Sequence, residues 1–556
     1  MLKQSPWWQS AVVYQVYPWS FQDSNGDGIG DIPGIISRLD YLNDRTPNSL
    51  GIDAIWLSPI YPSPMVDFGY DVADYCNVDP RFGTLADFDR LVTEAGQRGI
   101  RIIMDLVLNH TSDQHPWFRN ARSSRTSPER DWYYWADGKS FGRRPSNWSA
   151  RFGGSSWTWD HASHQYYLHS FLPSQPDLNW NHPGLRSKMF ETVQFWIDRG
   201  VQGFRLDAIN WIGKDVRWPD NPRQFGWRGY TRQQHLYDRD QPLAHQIMRD
   251  LRRAVSGHSD VVLVGEASAD TPGGPASFFG TGSDELQMVF DFRLLKSPWR
   301  ADRFRALMTD GDRAVPPGGW PSIVFSNHDQ SRHIDRYGVG GDADHRARAA
   351  AVLLFTMRGT PFLYYGEEIG MRNGRVRYRD LRDPYTKRFW PFRVGRDPAR
   401  TPMQWDGSPQ AGFTTGSPWL PISRTAPMVN VQRASGDPSS LFQLYRRLIR
   451  LRKSMPALLH GTYVPCECDH HDVVVFLRRV EGQDGSSQQV LIAVNFSGHR
   501  TVCSVPTVRN EGTILLSTYD PQKQRISWHM GRLDLRPDEA VIVELKPEPV
   551  HLFPKG

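Results

Sequence analysis

The reactive part of this chain is concentrated in Gly203-Phe204-Arg205-Leu206-Asp207-Ala208-Ile209-Asn210, where an arginine and an aspartate stand two residues apart in an apolar, strand-like run opened by Val201. Side chains at i and i+2 of a strand project to one face, so Arg205 and Asp207 point together at whatever lies beyond the strand's end. A cation beside an aspartate favours its ionised form, and an ionised, oriented carboxylate can attack an electrophilic carbon. Taken alone, the pair serves equally well as a structural ion pair. Its company separates the two readings. Glu266 closes Val264-Gly265-Glu266, His328 and Asp329 close Ser326-Asn327-His328-Asp329, and His110 follows the apolar run Ile102 to Val107. Such a set is hard to explain as packing, because isolated buried charges are costly and neighbouring carboxylates cannot all ionise freely.

The segments that would position these groups alternate between strand and helix. Val12 to Tyr17 reads as a strand, Ile32 to Leu42 as a helix, Ala54 to Leu57 as a strand, Leu85 to Gly99 as a helix, and Ile102 to Val107 as a strand. Alternation of this kind implies a parallel sheet with helical crossovers. The rhythm stops over residues 111–177, rich in Trp, Ser, Gly and Arg, which we read as an inserted subdomain, and resumes at a helix around Phe190 to Arg199. Further strands at Gly203 to Leu206, Val261 to Val264, Gln287 to Phe292, Ser322 to Phe325 and Pro361 to Tyr364 bring the total to eight. Eight such units predict an α/β fold, a (β/α)8 TIM barrel, whose chemistry sits on loops at the strands' carboxyl ends. That end is where His110, Arg205, Asp207, Glu266, His328 and Asp329 all fall. The barrel is expected over 1–110 and 178–460, closed by a helix from Leu441 to Lys453. Short strands with Gly-, Asp- and Pro-rich turns over 461–556 predict a C-terminal antiparallel β-sandwich.

Composition narrows the function classes. The 556 residues are 39% hydrophobic and 23% charged, with no apolar stretch approaching a membrane span. The formal charge of +6 is scattered, so neither nucleic acid nor membrane is expected as a partner. Met1-Leu2-Lys3-Gln4-Ser5-Pro6-Trp7-Trp8 lacks the apolar core of a secretory signal, which points to a cytoplasmic protein. Cys76, Cys466, Cys468 and Cys503 make neither a disulfide framework nor a zinc set, and free thiols are expected. The 21 Trp, 20 Tyr and 27 Phe supply flat faces of the kind that grip sugar rings, though most must be core.

In order along the chain, Asp105 to His110, Gly203 to Asn210, Gly265-Glu266 and Asn327-His328-Asp329 resemble the conserved regions of the α-amylase family of glycoside hydrolases, family 13. Within it, Gln175-Pro176-Asp177-Leu178-Asn179-Trp180 and Gly395-Arg396-Asp397-Pro398-Ala399-Arg400-Thr401-Pro402-Met403-Gln404-Trp405 resemble the oligo-1,6-glucosidase and α-glucosidase branch. Residues from about Ser58 to Trp135 also resemble bacterial trehalose synthases. The resemblance implies Asp207 as nucleophile, Glu266 as general acid/base and Asp329 as stabiliser of a distorted sugar. It further implies a glucose site lined by His110, His328 and Arg205, closed behind the terminal glucose by Asp67 and Arg400, with Tyr70 and Phe171 as stacking and packing faces. A retaining glycosidase needs one ionised and one protonated carboxyl about 5–5.5 Å apart. Arg205 is expected to keep Asp207 charged, and Glu266, facing that charge, to have a raised pKa.

The loop Asp23 to Asp31 offers oxygen atoms at alternate positions with glycines between them. This suits calcium or magnesium, and the oligo-1,6-glucosidase branch has a comparable loop; the implied ligands are Asp23, Asn25, Asp27, the carbonyl of Ile29, and Asp31. An Asx- and Gly-rich turn that needs no ion reads the same way. No cofactor is expected for the chemistry.

The expected function is therefore an exo-acting, retaining α-glucosidase acting on small oligosaccharides or disaccharides. In its branch, alanine after the nucleophile accompanies α-1,4 cleavage and valine α-1,6, so Ala208 predicts α-1,4 preference. A transglucosylase or isomerase of the trehalose synthase or sucrose isomerase kind is the alternative. A non-catalytic binding protein on the same barrel fits poorly with three retained carboxylates and no membrane span. Oligomeric state is left open.

Overall fold

The eight apolar runs close on one another. In chain order the strands are β1 (Val13–Val16), β2 (Ala54–Leu57) and β3 (Arg101–Val107), then an inserted antiparallel sheet of β4 (Trp135–Ala136), β5 (Trp157–Asp160) and β6 (Gln165–Leu168), then β7 (Gly203–Asp207), β8 (Val262–Glu266), β9 (Met288–Phe290), β10 (Ser322–Val324) and β11 (Thr360–Tyr364). Around the closed barrel the order is β1, β11, β10, β9, β8, β7, β3, β2, and every neighbouring pair is parallel. This computed structural model describes residues 5–227, 229–268, 270–271, 273–391, 395–482, 487–508, 511–519 and 531–546; the first four residues and the 547–556 end of the expected C-terminal domain lie outside them.

Strands buried on both faces read as continuous apolar runs, and their alternation divides the core in two. Ala54, Trp56, Ile103, Val264, Phe290 and Phe362 fill the barrel. Their chain neighbours, such as Ile55, Ile102, Leu263 and Leu363, pack outward under the helices. Gly203 stands in the crowded interior: a Cβ there would lie 2.7 Å from Val262 Cγ1 and 3.1 Å from Ile103 Cγ1. Above this apolar layer the same inward parity delivers Arg205 and Asp207 on β7 and Glu266 on β8.

Two helices differ from the sequence reading. The expected helix from Ile32 to Leu42 breaks at Arg38 into Ile32–Ser37 and Leu39–Leu42. There the Ser37 hydroxyl donates to the Gly34 carbonyl at 2.7 Å, offering the backbone a partner outside the regular ladder. The helix expected from Phe190 starts at Pro183, with Pro at its first position and the His182 ring accepting from Gly184 N.

The C-terminal region pairs β12 (Thr462–Cys466), β13 (Val473–Glu481), β14 (Ser487–Asn495), β16 (Gly512–Ser517) and β18 (Ala540–Leu545) in one antiparallel sheet, and β15 (Thr501–Ser504) with β17 (Arg532–Leu535) in another. Val475, Leu491 and Val541 from the first share a core with Cys503, Leu533 and Leu535 from the second. All four cysteines are free. Two fully buried arginines sit where this region meets the barrel, and Arg478 crosses from the region to the barrel. Arg478 on β13 donates to Thr356 O at 2.7 Å and Gly461 O at 2.9 Å, and Arg452, on the closing helix Leu441–Ser454, donates to Phe355 O at 2.9 Å and Gly359 O at 2.6 Å. No helix among the described residues is long and apolar enough to cross a membrane.

Candidate active site

At the carboxyl end of the barrel a cavity of about 670 Å³ opens between the strand ends and the inserted region. Asp67, Tyr70, His110, Phe171, Asp207, Glu266 and Asp329 all line it. Arg205, His328 and Arg400 lie behind this wall, each almost completely buried, and act on the cavity through the residues in front of them.

Arg205 is the hub. Its Nη1 donates to Asp207 Oδ1 at 2.7 Å, the same-face contact expected from the i, i+2 spacing, and to Asp105 Oδ1 at 2.7 Å. Its Nη2 contacts Glu266 Oε2. The register Leu206↔Gly265 sets Asp207 and Glu266 side by side at the ends of β7 and β8. Asp105 had no role in the sequence reading, although it opens the first quoted motif. It is the buried anchor: Trp56 Nε1 and Tyr70 Oη donate to its Oδ2 at 3.1 and 3.0 Å.

Burial changes the charge expected of the nucleophile candidate. It raises the Asp207 pKa to about 6, with Arg205 pulling the other way but not far enough. The arginine beside Asp207 was visible in the sequence; the depth of burial was not. Burial would also raise Asp329, but His328, protonated only at the low pH where this carboxyl titrates, and the permanent charges of Arg396 and Arg400 outweigh it and hold the carboxyl well below its usual range. His328 is pushed down to about 3 by burial and stays neutral. Its ring stacks on Tyr70 at 5.4 Å, its Nε2 lies 2.7 Å from Tyr70 Oη, and its Nδ1 lies 2.8 Å from Gln15 Nε2. Burial lowers His110 as well; its ring lies 5.1 Å from Phe171, and its Nε2 is 3.1 Å from Gln175 Nε2.

The surroundings of Asp67 correct one expectation. Asp67 is paired with Arg396 at 2.6 Å, and not with Arg400. Arg400 turns inward, donating from Nε to His328 O at 2.7 Å and from Nη2 to Asp329 Oδ1 at 2.8 Å. Both arginines belong to the Gly395-to-Trp405 motif, and of the two it is Arg396 that is directed at Asp67 and Arg400 at Asp329. Gln175, from another quoted motif, completes the wall by donating to Asp67 Oδ2 at 3.2 Å. Arg151, Phe152, Trp211, Phe292, Lys296 and Asn373 also line the cavity, and isolated loop residues of this sort carry no sequence signature. Ala208 lines it too, with left-handed backbone angles of φ 48° and ψ 43°.

The Asp23-to-Asp31 loop lies apart from these lining residues. Its donor set suits a hard cation, but hydrogen bonds already engage it. Asp23 Oδ1 accepts from the amides of Asn25 and Gly26 at 2.9 and 2.8 Å, while its Oδ2 accepts from Gly28 N at 2.8 Å and from the Thr414 hydroxyl. Asn25 and Asp27 make the same Asx turns to Asp27 N and Ile29 N, each at 2.8 Å, and Asp31 caps the helix at Gly34 N. A cation here would have to share these bonds.

With this geometry in place, a family model of the α-amylase catalytic domain matches residues 15–461. The chain belongs to the α-amylase family. It is 39% identical over 574 aligned residues to the oligo-1,6-glucosidase of Parageobacillus thermoglucosidasius, covering 97% of this chain and 99% of that one. It is 45% identical to a probable α-glucosidase of Rhizobium meliloti strain 1021 over 82% of this chain and 84% of the relative. Among solved structures, the α-glucosyl transfer enzyme XgtA superposes with a TM-score of 0.90 at 38% identity, covering 98% of this chain and all of that one. As an α-amylase family member the protein is a glycoside hydrolase, and the family's ordered motifs fall on the groups that line or support the cavity.

Proposed function

We propose that the chain is a retaining, exo-acting α-glucosidase. It releases single glucose units from the non-reducing end of short α-glucosides, prefers α-1,4 links, and works in the cytoplasm without a membrane or nucleic-acid partner. The carrying observation is that Asp207 and Glu266 end adjacent strands and share the Arg205 guanidinium. Neighbouring strands lie about 4.8 Å apart, which suits the separation of about 5–5.5 Å that retention requires.

In this reading ionised Asp207 attacks the anomeric carbon while Glu266 gives its proton to the departing glycosidic oxygen. Glu266, now a base, deprotonates a water that hydrolyses the glucosyl ester of Asp207. Asp329, kept ionised by its arginines, holds sugar hydroxyls and favours the distorted ring, and the Asp67–Arg396 wall admits only a chain end. Ala208, at the cavity wall beside the nucleophile, supports the α-1,4 preference. Direct observation of the first-formed anomer tests the mechanism: α-glucose is expected, and β-glucose would overturn it.

A second reading, transfer of glucose to a sugar acceptor, is supported by the likeness to an α-glucosyl transfer enzyme. Separate incubations with maltose, isomaltose, sucrose and trehalose distinguish the two, since free glucose alone or a new disaccharide answers directly.

A further inference from the structure

The turn that joins β12 to β13 carries the tract Cys466-Glu467-Cys468-Asp469-His470-His471-Asp472. Short tracts rich in Cys and His are a compositional mark of metal binding. The four cysteines make no zinc set, yet imidazoles and a carboxylate gather here. One donor atom from each of His470, His471 and Asp472 lies within 4.8 Å of the other two. His471 Nε2 is 3.2 Å from Asp472 Oδ2, and the two histidine rings stack at 5.0 Å with 13° between their planes. The backbone beneath these side chains is held from several directions. Arg305, on the barrel helix Ala301–Ala314, donates to His471 O at 3.2 Å and to Val473 O at 2.7 Å. Asp469 N donates to Ser504 O at 3.2 Å, and Asp469 Oδ1 accepts from Ser504 N at 2.7 Å, which ties the turn to β15. Cys468 Sγ donates to His470 O at 3.3 Å, and Phe496 N to Asp472 O at 2.9 Å. The contact of the His470 ring with Asp472 N is by comparison weak, since its Nδ1 accepts at 3.3 Å, longer than the usual distance of about 2.9–3.0 Å.

Zinc bonded to imidazole nitrogen and carboxylate oxygen at about 2.0–2.2 Å in a tetrahedron sets neighbouring ligand atoms about 3.3–3.6 Å apart. His471 and Asp472 already stand close to that spacing. Bringing in the third ligand takes a movement of about 1–2 Å, within reach of a ring turning about its own side-chain bonds. Two imidazoles select zinc, nickel or copper over calcium and magnesium, which take oxygen sets, and three protein ligands leave a fourth position for water. We propose that His470, His471 and Asp472 bind one divalent cation of the zinc class at the β12–β13 turn. The ion stiffens the turn through which Arg305 and Asp469 connect a barrel helix to the second C-terminal sheet. This site is distinct from the all-oxygen Asp23-to-Asp31 loop, and it stands whatever reaction the barrel performs.

The test titrates the full chain, free of any affinity tag, with zinc chloride by calorimetry in excess calcium and magnesium, which keep an oxygen-ligand loop saturated. One zinc per chain with a Kd of about 10 μM or tighter is expected. Zinc at about a hundredfold over that Kd should raise the melting temperature by about 2 °C. His471→Gln, whose side chain is 85% exposed and so is removed without disturbing the core, should weaken zinc by about tenfold or more. His470→Gln/His471→Gln should lose both the binding and the melting shift, while Cys468→Ser should keep them. Equal zinc affinity in the wild type and the double variant overturns the site. So does a loss on Cys468→Ser as large as that on the double variant, which would make the thiol the ligand. Zinc bound through the expected residues with no rise in melting temperature overturns the stiffening.

Discussion

Arg396 Nη2 lies 2.6 Å from Asp67 Oδ1, and the same guanidinium reaches Asp383 at 2.9 Å and Asp329 at 3.4 Å. One cation thus ties Asp67 to the carboxylate proposed to hold the distorted sugar. Removing one partner of a desolvated pair costs about 3–5 kcal/mol of stability, so Arg396→Ala should melt clearly below the wild type and, with Asp67 and Asp329 left without this cation, lose kcat/KM. Capping the terminal 4-hydroxyl of a maltooligosaccharide should abolish wild-type turnover. Equal rates on free and capped substrates would mean an open, endo-acting cleft.

Asp207→Asn and Glu266→Gln keep shape and delete charge or acidity. Each should lower turnover of a natural disaccharide by at least about a thousandfold, the scale of losing a nucleophile or a proton donor, with the circular dichroism spectrum unchanged. An Asp207→Asn enzyme still fast on an aryl α-glucoside would refute the nucleophile assignment.

The Asp207 carboxyl, raised to about 6, must be ionised to attack, so kcat/KM should fall below about pH 6. Its stability linkage runs opposite to that of a salt-bridged aspartate. The folded pKa exceeds the unfolded value, so the fold binds the extra proton between about pH 4 and 6 and loses stability as pH rises through that window. A shift from 3.8 to about 6 corresponds to about 3 kcal/mol at neutral pH. Asp207→Asn, which has no such titration, should melt above the wild type at about pH 7.5 and with it near pH 4. The same difference at both pH values would rule the linkage out.

Ala208 adjoins the nucleophile in left-handed backbone, a conformation that penalises β-branched residues by roughly 1–3 kcal/mol. Ala208→Val should therefore melt lower and should move the maltose to isomaltose ratio of kcat/KM toward isomaltose by roughly 10–200-fold. Ala208→Gly, free of that strain, should keep the melting temperature. An unchanged ratio in the valine variant, or a wild type already faster on isomaltose, would remove the linkage role.

A calcium or magnesium ion at the Asp23-to-Asp31 loop remains our proposal, and the Asx turns supply its rival account. An ion bound only by the folded state stabilises it through linkage, so exhaustive chelation is expected to lower the melting temperature while cold activity changes little. An unaltered melting curve with no metal by elemental analysis would leave a hydrogen-bonded turn.

What the sequence made legible was whatever the backbone alone decides. Strand parity placed Arg205 with Asp207, and adjacency of β7 and β8 placed Glu266 beside them, because alternation and register follow directly from apolar patterning. Where the outcome turned on side-chain direction, the sequence was silent. Arg396 and Arg400 sit four residues apart on one short turn, and nothing in their types says which faces Asp67 and which is drawn inward to Asp329. Burial was equally invisible: the guanidinium beside Asp207 could be named, but not the desolvation that outweighs it. Alternating oxygens in the Asp23-to-Asp31 loop read alike for a cation cage and for a run of Asx turns.

The two arginines between the barrel and the C-terminal sheets bear on how this gene can be cut. Arg478 reaches Thr356 O from the C-terminal sheet and Arg452 holds Phe355 O and Gly359 O from the closing helix, all just before β11, and Asp538 reaches back to Trp299 and Arg346 at 3.1 and 3.2 Å. A fragment ending near residue 461 would strand Thr356 O without its donor and bare the apolar surface beneath β13. The end of the family's catalytic-domain match at residue 461 is thus not a boundary of folding, and a fragment has to carry both sides of the seam to keep these contacts.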